Sequence, residues 1–193
     1  MIRILTDSAS DILPAEAEQL GVTVIPLNVT LEDGTVLRDG VDMTPTEYYS
    51  VLASCRKLPT TSQPSPELFE KFFLEASAAG DEVIGIFLSH ELSGTYQCAK
   101  LAADMANVRA YYAELQTQYI TTGEYIDIGD DLHQNARRDI TFLDGTTVQM
   151  QAGTVSAILA RERTDPTSGQ KGAPTGYQVY YFCDKGDHEL LLE

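Results

Sequence analysis

Glu82-Val83-Ile84-Gly85-Ile86-Phe87-Leu88-Ser89-His90-Glu91-Leu92-Ser93-Gly94-Thr95-Tyr96 is the stretch that decides the fold. From Val83 to Leu88 it is a continuous apolar run of strand length, which predicts a central strand covered on both faces. The run delivers Ser89, His90, Glu91 and Leu92 to its carboxyl end, where Ser93-Gly94-Thr95-Tyr96 caps a helix from Gln97 to about Ala106. Strand, hydroxyl-rich loop and helix in succession are the unit from which α/β layers are built.

The same unit opens the chain. Ile2 to Leu5 reads as a buried strand, Thr6-Asp7-Ser8-Ala9-Ser10-Asp11 as a polar loop, and a helix capped by Ser10 or Asp11 follows, with Pro14 in its first turn and Gly21 as its stop. Val22-Thr23-Val24-Ile25-Pro26-Leu27-Asn28-Val29 resumes β-branched character, so strand, helix and strand suggest a parallel sheet. Asp33-Gly34 between Val29-Thr30-Leu31 and Thr35-Val36-Leu37 is a strong hairpin signal, an antiparallel excursion suited to shielding an edge. Thr44-Pro45-Thr46-Glu47 is a capping box that starts a helix through Tyr48, Tyr49, Val51 and Leu52. Residues 59–66 read as a loop rich in hydroxyls and proline. Ser65-Pro66-Glu67 then opens a helix with Leu68, Phe69, Phe72, Phe73 and Ala76 at helical spacing, ended by Gly80.

In the other direction the texture changes. Residues 107–120 remain helix-compatible and are open to fusing with the preceding helix, with Gly123 as terminator. Residues 124–138 are polar and irregular. Ile140-Thr141-Phe142-Leu143 and Thr147-Val148-Gln149-Met150 flank Asp144-Gly145 as a second hairpin; a Pro, Gly and Ser loop covers residues 165–175. Tyr177 to Phe182 and Glu189 to Leu192 make a third hairpin around Lys185-Gly186-Asp187. The expected fold class is therefore α/β: a parallel-sheet part over residues 1–106, then a long helix and a mostly antiparallel β part over residues 107–193.

Composition narrows the partners. The 193 residues are 43% hydrophobic and 22% charged, an ordinary globular balance. Mean hydropathy is −0.15. With 29 acidic against 13 basic residues the net charge is −16, so the attraction that drives binding to phosphate backbones is missing, and nucleic acid and anionic membrane surfaces are unexpected partners. Cys55, Cys98 and Cys183 are odd in number and far apart, which points to a reducing compartment, the cytoplasm by default. Neither a signal-peptide core nor an apolar run approaching the roughly 20 residues of a membrane span is read from the chain.

Ligands of open parallel sheets bind at the carboxyl ends of the strands. Three hydroxyl-rich segments meet that edge if the topology is right: Thr6-Asp7-Ser8, Thr60-Thr61-Ser62-Gln63, and Ser89 through Ser93-Gly94-Thr95. Beside a helix N-terminus such groups suit a carboxylate or phosphate; they also serve simply as helix and turn caps.

Thr6-Asp7-Ser8, Thr61-Ser62-Gln63-Pro64-Ser65-Pro66 and Leu92-Ser93-Gly94-Thr95-Tyr96-Gln97 occur in the order and approximate spacing of the DegV family, which residues 1 to about 105 resemble. These are fatty-acid-binding proteins. The resemblance implies that Thr61 and Ser93 hold the lipid carboxylate, with Ser62, Gly94 and Thr95 in the same motifs and Asp7, Ser8 and Ser89 in support. It implies an apolar tunnel for a long-chain fatty acid and presentation of the head group to a fatty acid kinase, so the protein is a carrier and not an enzyme, without cofactor or metal. It also implies a second domain supplying cationic and imidazole groups, for which nothing after Met105 is a match. Residues 106–115 and the hairpins after them instead weakly resemble the globular head of type IV pilin-like proteins. An alternative follows: a structural or interaction protein, chimeric or truncated, that holds no ligand.

Other constellations carry less. His90, His133 and His188 form no short metal-ligand spacing with the cysteines. Tyr111, Tyr112, Tyr119 and Tyr125 suit core packing better than base stacking in so acidic a chain. Asp127, Asp130 and Asp131 read as a solvated turn before a calcium loop. A hydrolase reading would use Ser93 as nucleophile and His90 as base, with no acid partner in view.

Overall fold

The computed structural model describes residues 1–128, 136–162, 167–186 and 189–193. Two compact units divide the chain, Met1–Ala102 and Ala103–Glu193. The first contains β1 (Ile2–Asp7), α1 (Pro14–Leu20), β2 (Val22–Ile25), β3 (Asn28–Thr30), β4 (Val36–Arg38), α2 (Pro45–Ser54), β5 (Thr60–Ser62), α3 (Pro66–Ala78) and β6 (Glu82–Ile86). The helix α4 (Thr95–Thr122) starts in the first unit and continues into the second, which adds β7 (Asp139–Thr141), β8 (Thr147–Gln149), β9 (Gly153–Arg161), β10 (Pro174–Cys183) and β11 (Glu189–Leu192).

In the first unit a parallel sheet has the order β2-β1-β6. Its covered face carries Leu5, Ile25, Val83 and Phe87 against Phe69 and Phe72 of α3 and Cys98, Ala99 and Ala102 of α4. Phe69, Phe72 and Ala76 are buried because their three- and four-residue spacing puts them on one side of α3. Phe69 meets Phe87 edge-on at 5.8 Å between ring centres. Full burial of each such side chain stabilises the unit by about 1.5–3 kcal/mol.

The expectation for β6 is corrected here. β6 lies at an edge with β1 in the centre, and Ile84 and Ile86 are 50% and 59% exposed. A continuous apolar run signals two covered faces only where the sheet and its helices extend past it. Here Val83 and Phe87 are packed, and the alternate residues are open.

Three further departures have local causes. The stretch from Val22 to Val29 is two strands, because Pro26 has no N–H for a ladder, and the chain leaves the parallel sheet for a second, antiparallel one of order β4-β3-β5. The hairpin at Asp33-Gly34 is the expected one, with Gly34 at φ 86°. Part of the expected loop at 59–66 is a strand, β5, in register with β3 through Val29 opposite Thr61. Finally, α1 is capped neither by Ser10 nor by Asp11: Ser8–Ser10 form a short 3-10 turn capped by Asp7, and α1 starts at Pro14, where the Glu16 carboxylate accepts the Leu13 N–H at 3.1 Å. The Thr44–Glu47 capping box on α2 is formed as read.

The second unit is antiparallel. Its main sheet runs β11-β10-β9, and β7 pairs with β8 around Gly145 at φ 88°. α4 is one helix through the junction of the two textures and stops at Gly123, φ 72°. The tyrosines are packing groups: Tyr119 stacks on Tyr125 at 4.0 Å, Tyr125 meets Tyr177, and Tyr111 meets Phe142. The strand β9 had no counterpart in the sequence reading. Its Ala157-Ile158-Leu159-Ala160 suits a helix as well as a strand, and only pairing with β10 selects between them. His133, Asp130, Asp131, His188, Asp187 and Asp165 lie outside the described residues, and Asp127 lies 3.6 Å from Arg161. Among the described residues no helix is long and apolar enough to cross a membrane.

Candidate functional site

Strand β1 ends in Asp7, and the chain turns at once: the Asp7 carboxylate accepts the Ala9 N–H at 3.1 Å, and the Ser8 hydroxyl accepts the Leu27 N–H at 3.1 Å. That second bond fixes the β1 loop against the β2–β3 connection. The β3–β5 register sets Thr61 beside Val29, and the loop after β6 brings Ser93 and Gly94 to the same place. The result is a cavity of about 410 Å³, within the size range of small-molecule sites. Its polar wall is Ser8, Thr61, Ser62, Gln63, Ser93 and the backbone at Gly94; its apolar wall includes Leu27, Val29, Leu88 and Leu92. Tyr48 of α2 and the acids Asp11 and Asp39 complete it, and among the described residues no Lys, Arg or His lines the wall. A hollow beside Tyr111 and Arg137 in the second unit holds only about 60 Å³, room for water and not for a ligand.

Of the residues singled out in sequence, Thr61, Ser62, Ser93, Gly94 and Ser8 meet at this cavity. Thr95 does not: it is fully buried as the first residue of α4. Its role is behind the wall, where the Ser93 hydroxyl donates to Thr95 Oγ1 at 3.0 Å and the Thr95 N–H donates to Ser93 Oγ at 3.3 Å. Asp7 is also buried, 1% exposed, and stands next to the Thr95 hydroxyl. Burial raises its carboxyl above the usual aspartate range, an effect opposed by Thr95 and the Ala9 N–H. Its Oδ2 is buried without a hydrogen-bond partner. Ser89 is an exposed turn residue whose hydroxyl accepts the Glu91 N–H at 3.3 Å; it is not on the cavity wall.

Gln63, Tyr48, Leu88 and Leu92 were missed as wall residues. Gln63 was in view inside its motif, and its side chain lies over Gly94, where any Cβ would collide with its amide oxygen. Tyr48 had no local signal, since only the fold carries α2 to the cavity. Nucleophilic chemistry has little support. His90 Nε2 pairs with Glu91 at 2.9 Å while Ser93 is engaged by Thr95, and burial, with Glu67 adding to it, pushes the Cys98 thiol up to about 11. A hydroxyl-lined cavity at the carboxyl edge of a parallel sheet, walled by leucine and valine, defines an α/β protein with a candidate small-molecule site.

The family model described as "Uncharacterised protein, DegV family" matches residues 1–161, and the chain belongs to that family. The match runs well past residue 105, through α4 and all of β7 to β9, and the pilin-like resemblance of the C-terminal part finds no support. A DegV domain-containing protein of Deinococcus radiodurans is 36% identical over 122 residues, which are 63% of this chain and 43% of that protein. Among solved structures, a stearic acid-binding protein from Eubacterium ventriosum is 33% identical with a TM-score of 0.51, covering 55% of this chain and 36% of that one. DegV from Bacillus subtilis, a fatty acid binding protein, is 28% identical with a TM-score of 0.50, covering 63% and 48%. The matched part thus spans less than half the length of each of these relatives.

Proposed function

We propose that the first unit binds a long-chain fatty acid, holding its carboxyl group with the hydroxyls of Thr61 and Ser93, as a carrier without catalytic activity of its own. The observation that carries this reading is the convergence of Thr61 and Ser93, from segments 32 residues apart, on one cavity that also presents Leu27, Val29, Leu88 and Leu92. Tail and head divide the work. Each CH₂ removed from water contributes about 0.8 kcal/mol, while two hydroxyl donors and the N-terminal end of α4 orient the carboxyl group. The solved relatives that bind fatty acids support the ligand class. Presentation of the bound acid to a fatty acid kinase is part of the proposal and rests on the family resemblance.

The test is native mass spectrometry of the purified chain with extraction and identification of any released small molecule. A bound fatty acid that disappears in the Thr61→Ala/Ser93→Ala double variant is the expected result. A second reading, an interaction module without ligand, is favoured by the open face of β6 at Ile84 and Ile86. An empty protein that also fails to take up added oleate or palmitate would select it.

A further inference from the structure

Among the described residues the cavity wall presents the acids Asp11 and Asp39 and no Lys, Arg or His, and behind Ser93 the hydroxyl of Thr95 leads to the buried Asp7. The Ser93 hydroxyl donates inward, to Thr95 Oγ1 at 3.0 Å, so the Ser93 oxygen faces the cavity as an acceptor. A carboxylate ligand needs the opposite polarity. We propose, building on the fatty-acid reading, that Asp7 and Thr95 make carboxyl binding proton-linked: the ligand enters with one proton, which Asp7 takes up so that Thr95 and Ser93 become donors in line.

The balance is simple. One proton leaves the buffer and adds to Asp7 Oδ2, the oxygen that now lacks a partner. Asp7 O–H donates to Thr95 Oγ1, the Thr95 hydroxyl turns to donate to Ser93 Oγ, and the Ser93 hydroxyl donates to the ligand. Every hydroxyl keeps its own proton and no covalent bond other than the new O–H is made. The driving force is electrostatic: a ligand carboxylate and the buried Asp7 carboxylate, joined through two hydroxyls, repel each other, and a proton on Asp7 removes that repulsion. The titratable groups on the cavity wall are Asp11, Asp39 and Tyr48, with Cys98 in the core behind it. Of the charged groups elsewhere on the surrounding elements, Arg3 of β1 is paired with Asp81 at 2.7 Å, Lys100 of α4 lies over the Tyr96 ring at 5.5 Å, and Glu67 of α3 acts on Cys98. Asp7 and Thr95 are positioning residues here, acting on the ligand through Ser93.

Calorimetric titration of the full chain tests this, with decanoate as probe and 1-decanol as its uncharged counterpart, in buffers of different ionisation enthalpy between pH 5 and 9. Decanoate binding takes up about one proton, and its Kd weakens about tenfold per pH unit above the Asp7 titration, the slope of a single linked proton; decanol shows neither. In Asp7→Asn the amide N–H stands where the acid proton would, so decanoate binds without proton uptake and without the slope. Thr95→Val weakens decanoate and spares decanol, and Thr95→Ser restores decanoate. A measurement that needs no variant is the ¹³C titration of the Asp7 carboxyl, which moves to higher pH when decanoate binds. Decanoate binding with no proton uptake, or an Asp7 titration unmoved by it, overturns the proposal and leaves the fatty-acid reading standing. Decanol binding with no decanoate binding even at pH 5 also overturns it. Failure of both probes at every pH overturns the lipid reading itself and this inference with it.

Discussion

Among the described residues two aspartates are sealed from solvent, one in each unit, and they are built in opposite ways. Asp104 in α4 is 0% exposed and saturated: its carboxylate accepts the backbone N–H groups of Gln151 at 2.6 Å and Ala152 at 2.7 Å and the Tyr181 hydroxyl at 3.1 Å. It joins the second unit's helix to the turn before β9 and to β10. Asp7 is 1% exposed, accepts the Ala9 N–H, and leaves its other oxygen bare. Burying an acid is expensive unless its lone pairs are used. A saturated buried carboxylate is therefore architecture, and one with an oxygen left over behind a cavity wall is a candidate for function.

The contrast can be broken most forcefully at Asp104. Asp104→Ala strands two backbone donors and a tyrosine hydroxyl, and chemical denaturation should show a loss of about 3 kcal/mol in the second unit. A loss below about 1 kcal/mol would mean the three bonds are not the anchor they look like. Tyr181→Phe removes only one of the three, so about 1–2 kcal/mol is expected in the same experiment. The raised pKa of the Tyr181 hydroxyl, caused by burial and then by Asp104, keeps it a donor throughout the accessible pH range.

Asp7 sharpens the comparison through pH. A carboxyl whose pKa is raised by folding holds more protons in the folded chain than in the unfolded one between the two values. Its contribution is fully present below the ordinary value near 3.8 and is lost as pH climbs through the raised one. Thermal melts of the wild type against Asp7→Asn across that window should diverge in this sense, and parallel curves would show that Asp7 is not strained. The smallest effect is expected at the open face of β6: Ile84→Thr should change stability by no more than about 0.5 kcal/mol, as for an exposed side chain. A larger loss would show that Ile84 is covered in solution.

Much of this was readable in the chain. The two Asp-Gly turns, the Thr44–Glu47 capping box, the buried stripe Phe69, Phe72 and Ala76, and the run of α4 to Gly123 are local signals, and local chemistry enforced them. What escaped depends on partners remote in sequence. β5 is three residues long and exists because Thr61 finds Val29; β9 exists because β10 lies beside it; β6 is open because the described residues place nothing on its outer side. The candidate site divides along the same line. Thr61, Ser62, Ser93 and Gly94 could be picked by motif, while Thr95 was picked for the cavity and belongs behind it. The bare oxygen of Asp7 is a property of three-dimensional packing that no spacing encodes.

The Gln63 side chain occupies the space that any side chain at position 94 would need. Because that amide is the tip of an exposed, flexible side chain, a residue added at position 94 would swing Gln63 away from the cavity mouth and not break the fold. In a lineage of such proteins the two positions are therefore linked through the shape of the cavity, and a change at one resets what the other presents to it.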